Sequence, residues 1–411
     1  MRSSLAHPFL VRACLLACLL LSPLAAAASS FALEYRAALL PESGEAKVVM
    51  STRPIDGRLV RVRIKLDPDR YSAVRADGKL TRKGEEYTWE VPREGGTMRY
   101  RVKVDHERRG NGHDARMTRD WALLRGDDLV PPLRATVTRG ADARARLSFV
   151  LPDGWSAELP YSRSSDGKAF VIVDPERRMD RPEGWMLFGK IGVRRDTIAG
   201  MRVAVAAPVG QDVHRGELLA FVTALGPELK RAFGELPGRL LLVQAGDPMW
   251  RGGLSGPNSL YLHQDRPLIS ENGSSTPVHE LVHVVTRLRG ADGDDWIVEG
   301  LAEYYSIELT RRAGLLSDNR AGKAFDWMRE HGAGVKRLHT DHARQEVTAR
   351  AVTLFAALSA EIYTASSGRR DLDDVVQLLL DDREVSRESL RDAAREVLGR
   401  KSKVLDTRLL D

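Results

Sequence analysis

Two histidines four residues apart, with a glutamate beside the first, form the segment His279-Glu280-Leu281-Val282-His283. On an α-helix, positions i and i+4 share a face, so His279 and His283 present two imidazoles to one metal ion while Glu280 leans toward the adjacent coordination position. This is the arrangement of a zinc hydrolase, in which a carboxylate manages the proton of an attacking water. Such a site needs a third protein ligand and an open fourth position. Glu299 offers that ligand from Trp296-Ile297-Val298-Glu299-Gly300-Leu301-Ala302-Glu303-Tyr304-Tyr305. Glu303 follows four residues later on the same face, within reach of the outer nitrogen of a ligating histidine. Taken singly, Glu303 reads as a surface charge and Trp296 as core; together with the histidines, the two glutamates read as one metal site.

The elements that must position these residues follow from local signals. Thr276 is placed to cap a helix whose first position is Pro277, and Gly290 to end it, which predicts a helix from Pro277 to Arg289. A second helix, Trp296 to Ala313, follows the loop from Gly290 to Asp295. All 19 prolines lie at or before Pro277, so the remainder is free to form long helices. Ala349 to Ala365, Leu372 to Leu380 and Arg387 to Leu398 are the candidates. Upstream, Glu217 to Phe233 reads as a helix kinked at Gly226-Pro227, followed by strand-like runs at Arg239 to Gln244 and Ser259 to His263. Before residue 208 the texture differs. Val60, Val62, Ile64 and Leu66 alternate with polar residues, as do Met98, Tyr100, Val102 and Val104. Period two marks half-buried strands, and Arg146 to Leu151, Phe170 to Asp174 and Met201 to Ala206 extend the series. The expected fold is multidomain α+β: an N-terminal antiparallel β domain over 29–207, a thermolysin-like α/β zinc subdomain over 208–316 and a C-terminal helical subdomain over 317–411.

HELVH followed by WIVEGLAEYY resembles the gluzincin zinc peptidases, and among them the glycyl aminopeptidase family. Thr310-Arg311-Arg312-Ala313-Gly314-Leu315-Leu316-Ser317 continues the likeness. Weaker similarity runs through Gly234-Glu235-Leu236-Pro237, Gly252-Gly253-Leu254 and Asp371-Leu372-Asp373-Asp374-Val375. The resemblance implies one zinc ion held by His279, His283 and Glu299, with Glu280 as general base. It also implies substrate contacts at Gly253, Leu254 and Ser255. Two positions depart from the family. Ser255-Gly256 stand where the Gly-Gly-Leu run continues with Glu-His and the related aminopeptidases place a glutamate for the substrate's free amine. Thr348-Ala349-Arg350-Ala351 stand where a tyrosine precedes a Lys-Gly-Ala run. The first departure favours an endopeptidase; the second removes the donor that polarises the scissile carbonyl. Tyr304, Tyr305, Tyr261, His263, His339 and His342 are the candidates for a replacement. Tyr304 and Tyr305 are expected beneath the site, while Tyr261 and His263 alternate on a strand, Ser259 to His263, expected to bind substrate as an added ladder.

Composition bounds the rest. The chain has 411 residues, 43% hydrophobic and 29% charged, which is ordinary for a globular protein and excludes disordered and collagen-like classes. Arg2 and Arg12 precede an apolar run from Ala13 to Leu24 that closes on Ala25 to Ser30, a secretory signal peptide over residues 1–28 by pattern. The run is too short to span a bilayer. Cys14 and Cys18 both fall inside it, so the exported protein has no thiol, and a bacterial periplasm is the expected compartment. Of the 63 basic residues, 61 remain once Arg2 and Arg12 are removed, against 57 acidic ones, a net charge of +4. That mild, scattered excess argues against nucleic-acid binding.

Three functions compete on this sequence. One is a periplasmic zinc peptidase acting on peptide or protein substrates. The second is a catalytically weak or silent zinc-binding relative that holds peptides or proteins in the cell envelope. The third is an envelope scaffold with a structural zinc site. Oligomeric state leaves no trace in the sequence.

Overall fold

A computed structural model describes residues 29–108, 112–173, 179–340 and 342–410. The signal-peptide reading and Asp174 lie outside the described residues.

The alternating segments form the expected strands. Ser30–Leu40 pairs antiparallel with Glu45–Pro54 and parallel with Asp142–Val150, at the centre of a seven-stranded sheet. The parallel pair is a departure from the antiparallel expectation. A four-stranded sheet, with Leu59–Lys65 and Glu86–Glu90 in its middle, supplies Leu59, Val62, Ile64 and Trp89 to the same core as Phe31, Leu33, Tyr35 and Met50. A third sheet joins this β unit to the rest of the chain. Its strands Trp121–Arg125 and Trp185–Gly189 are buried on both faces. Ala122, Leu124, Met186 and Phe188 point into the β core. Leu123, Trp185 and Leu187 point the other way, against Ala204, Leu241, Val243 and Tyr261.

The sheet that carries the site begins with the strands Ile191–Ile198 and Met201–Pro208, so its first hairpin is drawn from the stretch that the sequence pattern groups with the β domain. Met201–Pro208, Arg239–Ala245 and Ser259–His263 run parallel, and Gly253–Gly256 closes the sheet antiparallel as its edge. Parallel strands need a covered face, which explains their near-continuous apolar runs. Helix Arg215–Phe233 supplies the crossover, with Pro227 inside it. The helices that follow share one uninterrupted core with this sheet, from Ile198 to Leu410.

Helices Thr276–Thr286, Asp295–Arg312, Gln345–Ala365, Leu372–Leu379 and Arg387–Leu398 lie within a few residues of expectation. The motif helix is shorter than read. Ser275 rather than Thr276 caps it, accepting from the Val278 N–H, and Arg287 ends it in the left-handed region at φ 52°. Arg289–Gly290 then leaves as a short strand paired with Glu384–Val385. Helix Asp318–His331 has no counterpart in the sequence reading.

The last helix-to-tail junction makes a stability prediction. Glu361, on Gln345–Ala365, accepts hydrogen bonds from the Ser402 hydroxyl at 2.6 Å, the Lys403 and Val404 N–H groups and Arg400. Burial works against its charge, but these donors outweigh burial and hold the carboxyl at about 2. A lowered folded-state pKa stabilises above the unfolded value near 4.5 and loses that contribution as pH falls toward 2. Glu361→Gln therefore costs about 1–3 kcal/mol at pH 7, and the gap from the parent narrows below pH 4, read from urea unfolding across pH.

Candidate metal centre and cleft

The motif helix and helix Asp295–Arg312 pack side by side, and their facing residues converge. His279 Nε2 and His283 Nε2 lie 3.1 Å apart, and each sits 3.4 Å from an oxygen of Glu299. His279, His283 and Glu299 form a group able to hold a metal ion. A tetrahedral ion about 2.0–2.1 Å from each donor requires donors about 3.3–3.4 Å apart, so this donor set fits one without rearrangement. Behind it, Glu303 Oε2 accepts from His279 Nδ1 at 2.9 Å, which turns Nε2 of that ring toward Glu299 and His283.

The electrostatics agree. Burial disfavours charge on His279, yet its hydrogen bonds to Glu299 and Glu303 prevail and push it up to about 10. Burial and the neighbouring charged ring push His283 down to about 4. Glu299 is held below its ordinary value: burial opposes ionisation, but His279 and His283 overcome it. Loss of Glu303 removes the group that orients His279, so Glu303→Ala should weaken metal affinity about 10- to 100-fold, measured by competition with a chelating dye. An unchanged affinity would reduce Glu303 to a surface charge.

Gly300, next to Glu299, lets the companion helix lie close against helix Gln345–Ala365 on its other side. A Cβ there would lie 2.5 Å from the Ala351 Cβ and 2.9 Å from the Phe355 ring. Trp296 is core, stacked on Phe355.

Glu280 is half-buried beside the metal group, and burial raises its carboxyl, countered by His279 and by the neighbouring Ser255 hydroxyl and N–H. Ser255 thus addresses the candidate base rather than an amine. Gly253 is required at the same contact, since a Cβ would come within 2.7 Å of Thr276 and 2.9 Å of Glu280. The metal group sits between two cavities of about 660 and 630 Å³ that share His279, Glu280 and Glu299. Leu254, Ser255 and Gly256 line one and Gly252 and Gly253 the other, so the edge strand runs along both.

Other sequence candidates lie elsewhere. Tyr261 is fully buried and donates to the Trp250 carbonyl at 2.8 Å, and His263 is also fully buried. Their strand is interior, flanked by Arg239–Ala245 and by Gly253–Gly256, so the free ladder belongs to the latter. Tyr304 and Tyr305 are both buried, and Tyr305 donates to Asp373 at 2.9 Å. His339 packs against Gly293 and His342 is exposed. None of the six lines either cavity, and no tyrosine does among the described residues. Sequence reasoning missed Glu183, a carboxylate from the β unit that lines the larger cavity and pairs with Arg181 at 2.5 Å. It missed Thr348 and Gln345 as lining of the smaller.

A β unit, a five-stranded mixed sheet with an exposed edge, and a helical region carrying two histidines and a glutamate make up the described fold. No known family model and no curated protein sequence matches the chain. Solved structures do. An aminopeptidase N family protein from Idiomarina loihiensis is similar over 91% of this chain and 72% of its own, with TM-score 0.64 and 13% identity. An M1 zinc metallopeptidase from Deinococcus radiodurans is similar over 93% and 92%, with TM-score 0.55 and 15% identity. Yeast LTA4 hydrolase in complex with bestatin is similar over 92% and 66%, with TM-score 0.55 and 12% identity. At these identities the likeness is one of fold.

Proposed function

We propose that this protein is an exported gluzincin zinc peptidase that hydrolyses peptide bonds, and that a bacterial periplasm is its compartment. The observation that carries the reading is the convergence of His279, His283 and Glu299 beside Glu280 in a cleft bounded by a free sheet edge. The fold shared with the M1 zinc metallopeptidase supports zinc as the ion and the gluzincin class as the family.

A zinc ion held by the three ligands supplies Lewis acidity, polarising a peptide carbonyl and making a water acidic near neutral pH. The chain's own residues do the rest. Gly253–Gly256 pairs an extended peptide through its unpaired side, laying it across both cavities. Glu280 takes the proton of the attacking water and passes it to the leaving amine. Ser255 stands beside that carboxylate on the edge strand and favours its charged form. Among the described residues no tyrosine lines the cleft to polarise the carbonyl, so turnover is slow, since one missing transition-state donor costs about 100- to 1,000-fold.

Endopeptidase action is the mode we favour. The cleft continues on both sides of the metal group, Ser255 is engaged by Glu280, and Glu183 is already paired with Arg181. The test is a mixed peptide library incubated with zinc-loaded protein and read by mass spectrometry. Internal cuts abolished by a chelator and restored by zinc are expected. Stepwise loss of single N-terminal residues would overturn the endo mode, and intact peptides throughout would overturn the peptidase reading.

A further inference from the structure

The mixed sheet turns one face toward the β unit, and strand register dictates what that face carries. Ile191 and Val193, Ala204 and Ala206, and Leu241 and Val243 fill the apolar interface. Two residues further along the same face, each of the three strands reaches an arginine: Arg195, Arg202 and Arg239. Arg202 and Arg239 are direct partners across the parallel pair, and like charges in that relation destabilise a sheet unless something compensates them.

The compensation present is small. Glu158, a buried residue of the β unit, pairs with Arg195 and, at 3.1 Å, with Arg239. Arg202 donates to the Ser162 hydroxyl at 3.1 Å. A fourth guanidinium, Arg163, lies over the Phe170 ring at 4.6 Å. Nε of Arg239 is buried without a hydrogen-bond partner. These residues line a cavity of about 710 Å³ between the β unit and the sheet. Four guanidinium groups and one carboxylate line it, so three positive charges are left over among the lining residues.

We propose that this cavity binds a phosphate group, as inorganic phosphate or as the phosphomonoester of a larger molecule such as a lipid headgroup. Guanidinium forks match pairs of phosphate oxygens. A dianion offsets most of the excess charge, whereas a monocarboxylate offsets only one unit of it. The site stands on the first three strands of the sheet, apart from the peptide cleft along the fifth. Arg163 and Ser162 come from the β unit and Arg195, Arg202 and Arg239 from the sheet, so a bound phosphate ties the two together and raises the unfolding temperature by mass action.

The test is calorimetric titration of inorganic phosphate into the intact zinc-loaded protein and into R163Q/R202Q, whose substituted side chains are exposed. The variant's unfolding temperature in phosphate-free buffer, matched to the parent, shows that it is folded. Expected are binding by the parent, a weakening of about tenfold or more in the variant, no binding of acetate, and a phosphate-induced rise in unfolding temperature that the variant lacks. Sedimentation with phosphatidylcholine vesicles containing phosphatidic acid separates the sources: arginine-dependent binding to vesicles without binding of free phosphate assigns a lipid headgroup. Equal phosphate affinity in parent and variant would overturn the proposal, because phosphate would then be bound elsewhere, at the metal for instance. So would a parent that binds neither free phosphate nor the vesicles.

Discussion

Glu280→Gln is expected to lower the rate of peptide cleavage by about 10²- to 10⁴-fold while leaving one zinc per chain, because a correctly placed general acid–base contributes that much and the amide can neither accept nor return the proton. The residue is set up for this role. Burial raises its carboxyl above the ordinary value, while His279 and the Ser255 hydroxyl and N–H pull the other way. Ser255→Ala removes only the hydroxyl beside it and should cost far less, about 10-fold or under, because the N–H of residue 255 remains. Kinetics and zinc content measured on the same preparations separate the cases. A Glu280→Gln protein that cleaves at the parental rate would remove Glu280 from the chemistry, and one that has lost zinc would show the change to be structural.

The second large effect is on stability. Asp373 sits under the companion helix, where its carboxylate accepts from the Tyr305 hydroxyl at 2.9 Å and from Arg312 at 2.7 Å. Arg312 and Asp373 are 7% and 8% exposed, so each depends on the other. Asp373→Ala strands a buried hydroxyl and takes from Arg312 one of its three carboxylate partners, the others being Glu308 and Asp371. Breaking a buried pair from one side costs about 3–5 kcal/mol, a large part of the 5–15 kcal/mol that holds a typical domain together. Tyr305→Phe, which removes only the hydroxyl, should cost about 1 kcal/mol. Guanidinium unfolding midpoints test both. A loss below about 1 kcal/mol for Asp373→Ala would mean that water reaches the network and screens it.

What the sequence made legible was what local geometry decides. His279 and His283 are bound to one helix face by the i, i+4 rule, and Glu299 with Glu303 by the same rule on the next helix, so each half of the metal group was legible while their meeting depends on the packing of the two helices. Alternation marked the β unit for the same reason. What depended on tertiary neighbours was not legible. Alternation in Ser259–His263 makes it a strand but does not say whether it is interior or edge; the edge fell to Gly253–Gly256, four residues with two glycines that carry no strand signal. Ser255 and Glu280 are joined only by packing of that edge against the motif helix. Helix Asp318–His331 buries only Ala321, Ala324 and Met328, too thin an apolar stripe to read by period. The four arginines of the cavity between the β unit and the sheet come from four separate strands, and only register and the packing of the two sheets bring them together.

The measurement that bears most directly on the central claim is anomalous diffraction at the zinc edge from crystals of zinc-loaded protein. The account predicts a single peak bonded to Nε2 of His279, Nε2 of His283 and a carboxylate oxygen of Glu299, with its fourth position open to the cleft. A peak elsewhere, or a zinc closed off by a fourth protein ligand, would contradict it and make the metal structural rather than catalytic.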